Sequence, residues 1–137
     1  FSKAESELIS RISIAPHTLQ ISVNDQHLKE LYNRALLFVY PSYYEGFGIP
    51  ILEAYTCNCP VALSQASCFP EIAENAAAYF DPFSVSSMAE AIKSVIYDEA
   101  ERTRLILAGK ERIKLYSWEK ATRQTELVYR KVAKAVF

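Results

Sequence analysis

Apolar residues at Ala4, Leu8, Ile9 and Ile12 recur at helical spacing with serine and glutamate between them, which predicts a helix over residues 2–12. Pro16 ends that segment, and TLQISV, residues 18–23, is short, partly alternating and β-branched, the pattern of a strand. Asn24 then stands where an N-cap belongs, Asp25 falls in the first turn, and Leu28, Leu31, Tyr32 and Ala35 form the stripe of a second helix. Residues 36–40, LLFVY, are apolar throughout, which predicts a strand covered on both faces. Pro50 suits the first turn of a helix through Tyr55, because its missing N–H is not needed there. A strand from Pro60, a short helix over 69–73, a strand AAAYF and a helix over about 86–97 follow. From Glu99 onward the chain reads as helical, with a break near Tyr116 and Ser117. Ser117 caps a last helix whose stripe is Trp118, Ala121, Thr125, Val128, Tyr129 and Val132.

Short strands alternating with helices predict an α/β fold, a Rossmann-like parallel sheet with helices on both faces. No repeat, low-complexity run or long linker divides the chain, so residues 1–137 read as one domain. With 15 basic against 16 acidic side chains there is no broad positive field, which argues against nucleic acid as a partner. Three cysteines, an odd number, make no disulfide framework, and no histidine lies near enough to suggest a zinc site; reduced thiols and a cytoplasmic location are expected. No stretch approaches the length of a membrane span. The chain opens at Phe1 and its single methionine is Met88, which suggests a piece of a longer polypeptide.

The chemistry gathers in PSYYEGFGIPILEAY, residues 41–55, where two of only three glycines flank Phe47 and stand beside Glu45, with Glu53 further on. In an open parallel sheet, ligands collect where strand ends lead into helix N-termini, and free N–H groups there suit a phosphate. Gly46 and Gly48 let the backbone come close to an anion. The carboxylates need another partner, and the hydroxyl groups of a ribose or hexose are the natural one, since a carboxylate only accepts. Spacing alone leaves a plainer reading equally open, in which the glycines make a turn and Glu53 favours a helix N-terminus.

PSYYEGFGIPILEA resembles the E-x7-E signature of retaining glycosyltransferases with the GT-B fold, family 4, the glycosyl transferases group 1. DQHLKELYNRALLFVYPS, CPVALSQASCFPEIAENAAAYFDP and SWEKATRQTELVYRKV resemble further blocks of that family's C-terminal domain in their usual order. The resemblance implies a partial C-terminal, donor-binding domain, truncated at its N-terminal side and inactive alone. It implies that Glu45 contacts the donor sugar hydroxyls near the reacting centre, that Gly46, Phe47, Gly48 and Ile49 reach the sugar and diphosphate, and that Glu53 holds the ribose. It further implies a mannosyl- or glucosyltransferase of bacterial surface polysaccharide or lipopolysaccharide synthesis, needing neither metal nor cofactor. The donor would be a nucleoside diphosphate sugar, with GDP-mannose favoured. A glycan or lipid-linked acceptor would bind through an absent N-terminal domain, with peripheral contact at the inner membrane face. A silent nucleotide or sugar-nucleotide binding module is the alternative.

Two positions depart from the family pattern: Asn58 stands where glycine is usual, and Glu74 with Asn75 where a glycine and aspartate are frequent. Glu71 reads as a surface carboxylate, and His17 and His27 have no serine or cysteine partner. Tyr43 and Tyr44 read as packing, whereas Phe47 has the motif behind it. The basic C-terminal third, with Lys110, Arg112, Lys114, Lys120, Arg123, Arg130, Lys131 and Lys134, reads as a solvated helix face. Part of the last helix's stripe is expected to be exposed here, since in the family this helix crosses toward the other domain.

Overall fold

The computed structural model describes residues 1–136. Helix α1 spans Lys3–Arg11, and its start is a reciprocal cap in which the Ser2 hydroxyl accepts from the Glu5 N–H and the Glu5 carboxylate accepts from the Ser2 N–H. Helix α2 spans Asp25–Arg34, with Asn24 Oδ1 accepting from the His27 N–H at 2.9 Å. Then come β1 (Phe38–Tyr40), α3 (Ile49–Thr56), β2 (Val61–Ser64), α4 (Phe69–Ala73), β3 (Ala77–Phe80), α5 (Val85–Ile96), α6 (Glu99–Ile113) and α7 (Trp118–Val136). Ser84, Asp98 and Ser117 cap the last three, accepting from the N–H groups of Ser87, Glu101 and Lys120. The helical reading past α7 concerns Phe137, which lies outside the described residues.

The strands form a parallel sheet in the order β1-β2-β3, with Phe38 beside Val61 and Leu63 beside Tyr79. Alternation along each strand separates two cores. Phe38, Tyr40, Val61, Leu63, Ala77 and Tyr79 join Ile51, Tyr55, Phe69 and Ile72 on the face covered by α2, α3, α4 and α6. Val39, Ala62, Ala78 and Phe80 look the other way, where α5 places Met88 and Ala91. The small residues on that second face let a single helix lie close to the sheet.

Two strand expectations are corrected. Residues 18–23 pair with no strand among the described residues, and Leu19 is 79% exposed. A β-branched run becomes a strand only where a neighbour offers N–H and C=O partners and a surface to pack on, and none lies beside it. The LLFVY strand shortens to β1, whose three residues are half-buried because it is an edge of the sheet.

Helix α6 crosses α3 at Gly109, where an added Cβ would stand 2.5 Å from Tyr55 Cδ1. The Tyr55 ring is anchored there by its hydroxyl, which donates to the Ala76 carbonyl at 3.1 Å. Arg112 corrects the reading of the basic C-terminal third as wholly solvated: its side chain is only 11% exposed. It donates to the carbonyls of Glu71 and Ile72 at 2.8 Å and pairs with Glu74 Oε1 at 2.8 Å, tying the end of α4 to α6. Asn58 does take left-handed geometry, φ 56°, which fits a residue standing for glycine. Glu74 is also at positive φ, 45° with ψ −119°.

Candidate functional site

Two crossovers build the site. The chain leaves β1 at Tyr40, runs through residues 41–48 and enters α3; it leaves β2 at Ser64, runs through 65–68 and enters α4. Both loops therefore lie at the carboxyl ends of parallel strands, where such folds gather ligands. Ser67 ties them together, its Oγ accepting from the Glu45 N–H at 3.2 Å and donating to the Glu45 carbonyl at 2.9 Å. The Cys68 thiol adds contacts to the Glu45 and Phe47 carbonyls at 3.3 and 3.2 Å.

Gly48 is the N-cap of α3 with φ 90° and ψ 52°, a left-handed conformation that costs glycine little. A Cβ there would stand 2.9 Å from Phe69 Cε1, so both backbone and packing call for glycine. Around Gly46 the case is different: nothing lies within 4 Å of where its Cβ would be. That position is open rather than packed. No side chain caps α3, and the N–H groups of Gly46, Phe47, Gly48 and Ile49 find no hydrogen-bond partner among the described residues. Four successive free donors running into a helix start make a place suited to an anion.

The two carboxylates differ. Glu45 is half-buried, and its Oε1 accepts from the Tyr40 hydroxyl at 2.6 Å. That bond first, then Ser42, holds the Glu45 carboxyl below the usual carboxylate range, and the same bond pushes the Tyr40 phenol up to about 12. The Ser42 hydroxyl also reaches the Tyr44 carbonyl, at 3.2 Å. Glu53 is exposed on the α3 surface, with the Tyr32 hydroxyl at a long 3.4 Å from Oε2. Burial, and then Glu53, push the Tyr32 phenol up to about 12.

Of the residues singled out in the sequence, Phe47, Ile49 and Glu53 line a groove of about 680 Å³ that also takes in Tyr116 and Trp118. Glu53 and Tyr32 line a smaller hollow of about 250 Å³ beside it. Glu45, Gly46 and Gly48 line neither; they sit at the joined loops. Phe47 packs edge-on against Tyr116 with ring centroids 5.5 Å apart, and Tyr43 stacks on Phe83 at 4.9 Å. Tyr40, Ser67 and Cys68 were not singled out. Tyr40 looks like core from its apolar run, and Ser67 reaches Glu45 only through the fold. Among the described residues no group of three His, Cys, Asp or Glu side chains could hold a metal ion. No helix among them is long and apolar enough to cross a membrane.

With this geometry in hand, similarity to known proteins decides the family. The sequence profile of the glycosyl transferases group 1 matches residues 5–112. The chain belongs to that family. Within the group 1 glycosyl transferases, an O-antigen chain mannosyltransferase B of Escherichia coli is 40% identical over 108 residues, 79% of this chain and 28% of that protein. An O-antigen chain mannosyltransferase of Salmonella typhimurium is 43% identical over 76 residues, 56% of this chain and 21% of that protein. The fold is similar to that of a sucrose-phosphate synthase from Thermosynechococcus elongatus, with a TM-score of 0.85 and 27% identity over 97% of this chain and 34% of that one. This group 1 chain therefore matches about a quarter of the length of these two mannosyltransferases.

Proposed function

We propose that this chain is the donor-binding part of a retaining glycosyltransferase that works in the synthesis of bacterial surface polysaccharide. The observation that carries the reading is the run of four free N–H groups from Gly46 to Ile49, set between Glu45 and Glu53. A diphosphate accepts from such donors, while the flanking carboxylates accept from hydroxyls on its sugar and ribose. Glu45 is the group for the sugar near the reacting centre, Phe47 and Ile49 border the donor, and Glu53 is the group for the ribose. The departing diphosphate is stabilised by the α3 dipole and by cationic side chains outside this chain, without a divalent ion or other cofactor.

Relatives named mannosyltransferases support mannose as the sugar, and GDP-mannose is the donor that the family resemblance favours. The acceptor, a glycan or a lipid-linked sugar, meets the donor through a further domain, at the cytoplasmic face of a membrane. The test is transfer by the full-length protein from GDP-mannose, UDP-glucose and ADP-glucose, in the presence of a chelator, with the anomeric configuration of the product read by NMR. Transfer from one donor with retention, and a donor KM raised about tenfold in Glu53→Gln through loss of the ribose contact, is the expected result. Tight donor binding with no transfer to any acceptor would instead mark a silent binding module.

A further inference from the structure

Four aromatic rings form a continuous column along the face of β1. Tyr32 from α2 meets Phe38 edge-on at 5.3 Å, Phe38 lies 5.6 Å from Tyr40, and Tyr40 lies 5.0 Å from Phe69 of α4. Phe38 and Tyr40 share that face because residues two apart on a strand point the same way. Phe69, at the far end, is the side chain that a Cβ on Gly48 would strike. The column thus runs beneath the glycine loop, and each of its two tyrosines reaches one motif glutamate: Tyr32 to Glu53 and Tyr40 to Glu45.

The two contacts are unequal. At 3.4 Å the Tyr32 bond is long, whereas the Tyr40 bond, at 2.6 Å, is a short charge-assisted one. Tyr40 gives its one proton to Oε1, and Ser42 also lies against the carboxylate; a carboxylate with about four lone-pair sites keeps acceptor capacity for a sugar hydroxyl beside them. The Tyr40 ring, held between Phe38 and Phe69, fixes where its hydroxyl points. The backbone of Glu45 is meanwhile gripped at both N–H and C=O by Ser67. The carboxylate is therefore held from two directions, by Ser67 through the main chain and by Tyr40 through the side chain.

We infer that Tyr40 is a positioning residue for the transfer reaction, aiming Glu45 at the donor sugar through its hydroxyl. This rests on the proposed role of Glu45. Tyr40 touches no substrate itself; it removes the rotational freedom of the Glu45 side chain before the donor arrives, and it favours the ionised form. The same hydroxyl would be idle if Tyr40 served the column alone, because a phenylalanine would fill that place as well.

Tyr40→Phe in the full-length protein separates these roles, since the ring and the column are kept. The expected result is a loss of roughly tenfold or more in transfer rate, carried mainly by kcat with little change in donor KM. The acidic limb of the kcat/KM profile moves to higher pH, because a carboxylate that loses a donor is easier to protonate. The thermal midpoint falls only by the loss of the Tyr40–Glu45 hydrogen bond, because the ring and its packing are kept. Wild-type kcat together with an unmoved acidic limb would overturn the inference. Glu45→Gln, measured beside it, keeps the two levels apart. If Glu45→Gln is inactive and Tyr40→Phe is unchanged, only the role of Tyr40 falls. If Glu45→Gln transfers sugar at the parent rate, the reading of the site falls and that of Tyr40 with it.

Discussion

Glu74 adopts φ 45° and ψ −119°, a backbone that suits glycine, while its carboxylate pairs with Arg112. Holding a side chain there costs about 1 to 3 kcal/mol. Its carboxylate is 61% exposed, and an ion pair of that kind returns about 1 kcal/mol at most. A glycine would also loosen the unfolded chain, at a cost of about 1 kcal/mol. Arg112 keeps its carbonyl partners in either case. These terms nearly cancel, so Glu74→Gly is expected to leave stability within about 1 kcal/mol of the parent, read from the urea midpoint; a larger fall would show that Arg112 depends on that carboxylate. Acid offers a second measurement at this scale. Glu45 and Glu101 both sit below the usual carboxylate range, Glu45 through Tyr40 and Glu101 through Arg104. Groups depressed by folding add stability that is complete above their unfolded value of about 4.3 and is lost as pH falls through the lower folded value. Thermal midpoints should fall across that acid window, and in Tyr40→Phe the part of the fall due to Glu45 should shrink.

Between elements, the contact of α3 with α6 shows packing overruling propensity. Helix propensity alone predicts that alanine at Gly109 would gain about 1 kcal/mol. The ring of Tyr55 stands 2.5 Å from the new methyl, and its hydroxyl bond to Ala76 keeps it from yielding. Overpacking of this kind costs about 1 to 3 kcal/mol, so Gly109→Ala is expected to lower the thermal midpoint. The same contrast between local and distant causes explains what the sequence disclosed. Asn24 and Ser117 announce their helices because a cap acts on N–H groups two or three residues away. TLQISV misleads because a strand is made by its neighbour, and here no described strand lies beside it. In the candidate site, Glu45, Gly48 and Glu53 stand within one continuous motif, so the sequence groups them, and their proposed roles come from the family resemblance rather than from spacing. Ser67 lies 22 residues from Glu45 in the chain, and Tyr40 hides in an apolar run, so their contacts become visible only once the parallel crossovers bring the loops together.

For the molecule as a whole, α7 is the least settled part of the surface: every described side chain along it is exposed, including Trp118 at 81%. Trp118, Val128, Tyr129 and Val132 form one exposed apolar stripe along it, and a stripe of that kind is expected to be covered where a partner surface exists. Trp118 is the single tryptophan of this chain and so reports on that face. Acrylamide should quench it readily in the isolated chain and markedly less in the full-length protein, provided other tryptophans are replaced there. Equal quenching would mean that the stripe stays in water. The contact of Gly48 with Phe69 carries a consequence for engineering. Because the left-handed turn closes directly onto a ring from the next crossover, the loop is not a portable cassette. Residues 41–53 grafted between relatives would arrive misshapen unless the residue at position 69 travelled with them, so the exchangeable unit is a pair of segments from separate crossovers.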